Sequence, residues 1–139
     1  CIMSELLQIT IGPFTFTART EGAAPKTYEA FLKLLPFRRK IIQARWSGES
    51  AWVSLGDFNM IDQYENHTSY PSKGDILFYP GGISETEILF PYGSTAFGSK
   101  MGLLAGNHFL TIVDGREHLI DFGHKVLWEG AQDISFEIV

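Results

Sequence analysis

The chain of 139 residues reads as a mainly-β protein, a closed barrel of about eight strands with one main capping α-helix. Three observations predict this. Short apolar runs with period-two alternation recur along the whole length. Turns rich in Gly, Pro, Asn and Asp separate them. Only one segment carries the helical period, so there is no strand-helix alternation from which to build a doubly wound sheet.

Leu7, Ile9 and Ile11 alternate with Gln8 and Thr10, and past Gly12-Pro13 the set Phe14, Phe16 and Ala18 alternates with Thr15 and Thr17. An opening β-hairpin follows from that pattern. Pro25 suits a first helical turn, and Tyr28, Phe31, Leu32 and Leu35 fall at i, i+3, i+4 and i+7 with Lys26, Glu29 and Lys33 opposite. Pro36 closes this helix. Ile41 to Trp46 and Ala51 to Leu55 read as strands joined by the polar turn Ser47-Gly48-Glu49-Ser50. Gly56 to Lys73 is polar and aperiodic, a long loop and a candidate lid or rim. Ile76 to Tyr79 and Ile88 to Phe90 form a hairpin-like pair with polar groups at one end. Phe109 to Val113 and His118 to Phe122 flank Asp114-Gly115, a hairpin signal, and Ile134, Phe136 and Ile138 end the chain as a strand.

A 45% hydrophobic content suits one domain with a full core, read as residues 6–139 after a short extension, 1–5. Within that extension Cys1 and Ile2 look like cloning remnants or an upstream start before Met3. A net charge of -5 argues against a nucleic-acid partner, and Arg38-Arg39-Lys40 reads as a solvated loop after the helix. The single cysteine makes no internal disulfide, and no secretory leader precedes the first strand. No apolar run reaches the roughly 20 residues that cross a bilayer. The expectation is a cytoplasmic protein with no membrane partner.

The chemistry gathers between Gly74 and Gly93, where Glu85 and Glu87 interrupt an otherwise apolar run. Burying an unpaired charge is costly, so carboxylates placed there have partners or a task. Two residues apart on a strand, they emerge on one face, where they can converge on a ligand and raise each other's pKa. Solvation at a hairpin end, or pairing with Arg45, accounts for the same pattern. Arg45 can hold a carboxylate or amide oxygen with its planar fork, or lie over the ring of Trp46 or Trp52. His108 precedes a strand, where it can carry a proton near neutral pH while Asn107 anchors a polar ligand atom; a structural histidine fits the position too. Tyr79, Tyr92 and Trp46 are the expected walls. His67, His118 and His124 are assigned no role, Gly81-Gly82 fits a turn, and Ser84 has no base beside it. Neither zinc spacing nor a phosphate loop nor a dinucleotide fingerprint occurs, so no metal and no cofactor is implied.

Ala24-Pro-Lys-Thr-Tyr-Glu-Ala-Phe-Leu32, directly after two strands, resembles the opening helix of cyclophilins. Arg45-Trp46 before a turn and strand, then Gly74-Asp75, Tyr79-Pro80-Gly81-Gly82 and Tyr92-Gly93, resemble in order the small prokaryotic cyclophilin-like proteins of unknown function. The resemblance spans about residues 6 to 139 and implies an eight-stranded cyclophilin-like barrel with a helix across an open end. The catalytic pattern of the prolyl isomerases is not carried over. Ile41 to Trp46 stands where a Phe-x-x-Gln-Gly-Gly block should follow Phe37-Arg38-Arg39, and the Gln-Phe-Phe segment is absent. Fold resemblance does not supply an activity whose residues are missing.

The leading expectation is a small-molecule site at the open end of the barrel. Arg45 binds an anionic or amide group there, and Glu85, Glu87 and His108 are available for proton transfer. If the domain is an enzyme, cofactor-independent hydrolysis or isomerisation of a small polar metabolite fits, because both need only positioned acid-base and hydrogen-bonding groups. One rival is a peptide-binding or weak prolyl isomerase module. Another is a non-catalytic structural domain, a possible homo-oligomer meeting through Phe14, Phe97 and Phe136.

Overall fold

The structure, a computed structural model, describes residues 5–56, 63–82 and 85–139. Cys1, Ile2, Met3, Ser84 and part of the long loop lie outside the described residues. The expected hairpin is present as β1 (Leu6–Ile11) and β2 (Phe14–Thr20), with Ile11 opposite Phe14. Leu7, Ile9, Ile11, Phe16 and Ala18 all turn inward and are buried. Helix α1 spans Pro25–Leu32, with proline in its first turn. Ala24 has no side chain with which to cap it, and Glu65 substitutes from a distant loop. Its Oε1 accepts from the Thr27 N–H at 2.6 Å and from the Thr27 hydroxyl at 2.8 Å.

The next strands are β3 (Phe37–Gln43), β4 (Gly48–Gly56), β5 (His67–Thr68), β6 (Asp75–Tyr79), β7 (Thr86–Thr95), β8 (Gly98–Ser99), β9 (Gly102–Leu103) and β10 (Gly106–Asp114). Helix α2 (Leu119–Glu129) and strand β11 (Gln132–Ile138) complete the chain. The strand expected over Ile41 to Trp46 therefore starts earlier and stops sooner. Arg38, Arg39 and Lys40 belong to β3 rather than to a loop, exposed on a strand paired with β11, where Lys40 meets Asp133.

The segment His118 to Phe122 is helical, not a strand. Gly115 takes φ +88°, a left-handed conformation that ends β10, and a single 3-10 turn over Arg116–His118 leads into α2. Leu119, Phe122, Gly123 and Val126 are its buried residues, so helical spacing decides the element. A second helix thus joins the one expected. Phe97 and Phe136 are each 1% exposed and Phe14 packs against the core, so these residues form no exposed seam.

The strands pair antiparallel in the order β2-β1-β11-β3-β4-β7-β6-β10, and β10 pairs back onto β2, so eight strands close a ring. Closure leaves the ring without a free edge. Strand β5 adds to β10 outside it. Thr20 lies opposite Leu110 and Thr17 opposite Asp114, which puts Phe109 and Phe16 towards opposite ends of the β2–β10 pair. From α1, Phe31 packs on Phe109, Phe136 and Phe37, with ring centroids 5.2, 5.0 and 5.8 Å away. From α2, Phe122 packs on Phe16, Phe90 and Tyr92 at 6.2, 5.1 and 5.8 Å. The helices plug the two ends, and each phenylalanine buried this way contributes about 1.5–3 kcal/mol. Among the described residues the barrel interior is a packed core. No described helix is long and apolar enough to cross a membrane.

Candidate functional site

Alternation along the strands puts the site on the outside of the wall. Ala51, Val53 and Leu55 on β4, Ile76 and Phe78 on β6, and Ile88 and Phe90 on β7 point into the barrel. Trp52, Leu77, Tyr79, Glu87 and Leu89 therefore point out. The segment carrying Phe97 and Leu104 folds over this outer face, making a second buried cluster with Ala44, Leu77, Tyr79 and Leu89, and Trp52 packs at its margin. Glu87 stands in the same wall, opposite Ser54 on β4 and Tyr79 on β6. It is 7% exposed.

A cleft of about 400 Å³ opens at this margin, lined by Gln43, Arg45, Trp46, Trp52, Glu87 and Lys100 among others. Arg45 and Trp46 reach it from a 3-10 turn, Arg45–Ser47, rather than from the strand expected there. Ser47 fixes that turn: its Oγ donates to the Gly98 carbonyl at 3.2 Å and accepts from the Gly98 N–H at 3.0 Å. Its carbonyl also accepts from the Ala96 N–H at 3.1 Å. A Cβ on Gly98 would lie 2.6 Å from the Trp46 carbonyl oxygen, so this approach requires glycine. Arg45 is left exposed, and Trp46 is 69% exposed beside the cleft.

Burial, and secondarily the charge of Glu85, push the Glu87 carboxyl from 4.5 up to about 8. At neutral pH it is mostly a neutral acid, able to donate a hydrogen bond. Glu85 is exposed and accepts from Ser54 Oγ at 2.8 Å. No ion pair among the described residues involves Arg45, Lys100 or Glu87.

The remaining expected residues take other places. Tyr79 is 1% exposed in the outer cluster, its ring 5.7 Å from that of Phe97. Tyr92 packs on Phe122, and its hydroxyl donates to Gln43 Oε1 at 2.7 Å; it lines depressions against α2 instead. Asn107 is fully buried and its amide is taken up by structure. Nδ2 donates to Thr27 Oγ1 at 3.1 Å and to the Gln63 carbonyl at 3.4 Å, and Oδ1 accepts from the Glu65 N–H at 3.1 Å. His108 Nε2 sits 2.8 Å from Thr111 Oγ1 and 3.6 Å from Asp75 Oδ1. The structure thus brings Arg45, Trp46 and Glu87 to one cleft with Glu85 near it, while Tyr92, Asn107 and His108 stand outside its lining.

Gln43 and Lys100 are lining residues that sequence reasoning missed, and Trp52 entered it only as a ring for Arg45. A signal for Trp52 was present: it lies between the inward residues Ala51 and Val53, hence on the outer face. Lys100 gives none, because the Ser47–Gly98 contact that brings its hairpin to the turn is not a sequence pattern. No cluster of three or more His, Cys, Asp or Glu residues able to hold a metal ion occurs among the described residues.

Among solved structures the chain is similar to that described as McbB in complex with tryptophan, with a TM-score of 0.70 and 18% identity. The match covers 94% of this chain and 44% of that one, and at this identity the likeness is one of fold. No curated protein matches the chain. The family DUF3830, described as a protein of unknown function, matches residues 7–138, and the chain belongs to it.

Proposed function

We propose that the outer-wall cleft binds a small polar metabolite and that Glu87 moves a proton to or from it. One observation carries this reading: a carboxyl 7% exposed and held at about 8 opens on a cleft that also presents the guanidinium of Arg45, which has no ion-pair partner among the described residues. A general acid works best when its pKa lies near the working pH, and burial beside a like charge is how a carboxyl gets there. Arg45 holds an anionic or amide oxygen, Glu87 donates to a second polar atom, and Trp46 and Trp52 supply flat walls. Glu85 acts through its charge and Tyr79 through packing. Cofactor-independent isomerisation or hydrolysis suits such a set, since both proceed by positioned proton transfer. His108, Asn107 and Tyr92 have no part in it.

A thermal-shift screen of small carboxylates and amides on the wild type, Glu87→Gln and Arg45→Ala tests the proposal. Stabilising compounds should lose their effect in both variants. Identical shifts in all three proteins would remove the cleft from consideration. We also read the barrel as cyclophilin-like, a reading supported by the ring of eight strands and by α1 following the opening hairpin.

One observation favours a second reading, a peptide-binding module. The cleft shares Gln43 and Arg45 with a depression of about 420 Å³ walled by Tyr92, His124, Leu127 and Trp128, and an extended segment can follow the two. Acceleration in a protease-coupled prolyl isomerisation assay would favour this reading over the first; a flat response would count against it.

A further inference from the structure

The charges around the Glu87 cleft do not match those of the chain. The protein carries a net charge of -5, yet Arg45 and Lys100 both line the cleft, and neither has an ion-pair or hydrogen-bond partner among the described residues. Two cations lining one cleft raise its positive potential, and an anion there is favoured. The one acidic group in the lining does not oppose an anion. Glu87 is mostly neutral at pH 7, is 7% exposed, and has no side-chain partner among the described residues, so its proton is free for a ligand oxygen. Gln43 does not compete: its Nε2 donates to the Gly48 carbonyl at 2.9 Å and its Oε1 accepts from Tyr92.

The walls impose a second requirement. Trp46 and Trp52 give the cleft two indole rings, and Trp46 leaves 69% of its surface to solvent although its turn is fixed by Ser47 and Gly98. Stacked aromatic contacts add to what burial contributes, and only a flat partner makes them. A space of about 400 Å³ accommodates one or two fused rings bearing a short acidic arm.

We infer that the ligand of this cleft is a ring-bearing carboxylate: its two oxygens meet Arg45 and the Glu87 carboxyl, Lys100 adds charge, and the ring lies against Trp46 and Trp52. The inference rests on the proposed function of the same cleft and names the ligand class.

Calorimetric titration of the whole chain with 2-naphthylacetate, 2-naphthylacetamide, 2-naphthylethylamine and acetate tests it, because the first three share a ring and differ in charge while acetate lacks the ring. The acid should bind at least about tenfold more tightly than the amide or acetate, and the amine should not bind. Arg45→Gln with Lys100→Gln, both at exposed positions, should abolish the preference for the acid over the amide. Equal binding of acid, amide and amine overturns the ligand class, and if Glu87→Ala then weakens all three, the cleft itself stands as the site. Binding unaffected by Glu87→Ala and by the double variant overturns both. Failure of all four probes to bind overturns the ligand class.

Discussion

Replacing Glu87 by Gln removes a titration that the fold works against, and the effect is a change in how stability depends on pH. In the unfolded chain this carboxyl ionises near 4.5; in the folded protein burial and Glu85 raise it to about 8. Between those values the folded state keeps a proton that the unfolded state has released, so raising the pH favours unfolding. The stabilisation is fully present below 4.5, declines through the window and is exhausted above about 8. Over that interval, at about 1.4 kcal/mol per decade, the change amounts to about 5 kcal/mol, with roughly 3 kcal/mol lost by pH 7. Small domains are commonly stable by only about 5–15 kcal/mol, so the effect is large enough to measure. Urea unfolding of both proteins across pH values from about 4 to 9 reads it, and the difference between them cancels the other titrating groups. That difference should move by several kcal/mol in favour of Glu87→Gln as the pH rises. Parallel stability profiles would refute the placement of this carboxyl in a dry outer wall.

Two further perturbations test how the fold holds the site. A Cβ on Gly123 would lie 2.1 Å from Cδ1 of Tyr92, whose hydroxyl is tied to Gln43, so Gly123→Ala should destabilise by about 1–3 kcal/mol through overpacking. An unchanged urea midpoint would mean that α2 does not sit on that ring. Asn107→Leu removes acceptors and donors from Thr27, Gln63 and Glu65 in a buried setting and should cost about 2–3 kcal/mol. Amide exchange at Thr27 should quicken in the same variant, and unaltered exchange there would show that Asn107 does not hold α1.

The elements legible in the sequence are those with one dry face and one wet one. Leu7, Ile9 and Ile11 are each 0% exposed while Gln8 between them is exposed, and that contrast is what period-two reading detects. Helix α2 was obscured by Asp114-Gly115, a hairpin signal; Gly115 uses its left-handed conformation to leave a strand and enter a 3-10 turn instead. The spacing of Leu119, Phe122 and Val126 holds the helical period, but Gly123 interrupts the apolar run between Phe122 and Val126. Strand β3 carries three charged residues directly after the buried Phe37, and its pairing with β11 leaves them at the surface, where Asp133 offsets Lys40. At the site, Glu85 and Glu87 were visible as carboxylates in an apolar run. What separates them is the covering segment that brings Phe97 and Leu104 over the wall, and such tertiary cover is not encoded at any one spacing. His108 and Asn107 draw notice as polar groups at a strand start, and what the sequence does not reveal is that Asn107 bonds to Thr27 of α1 and to the loop at Glu65.

The most direct test is the titration of the Glu87 side chain itself, followed as the carboxyl carbon resonance in a carbon-13 NMR pH series. A midpoint near 8 is the predicted result, falling only part of the way towards 4.5 in Glu85→Gln because burial is the larger cause. A midpoint near 4.5 in the wild type would show an ordinary solvated carboxylate and contradict the account.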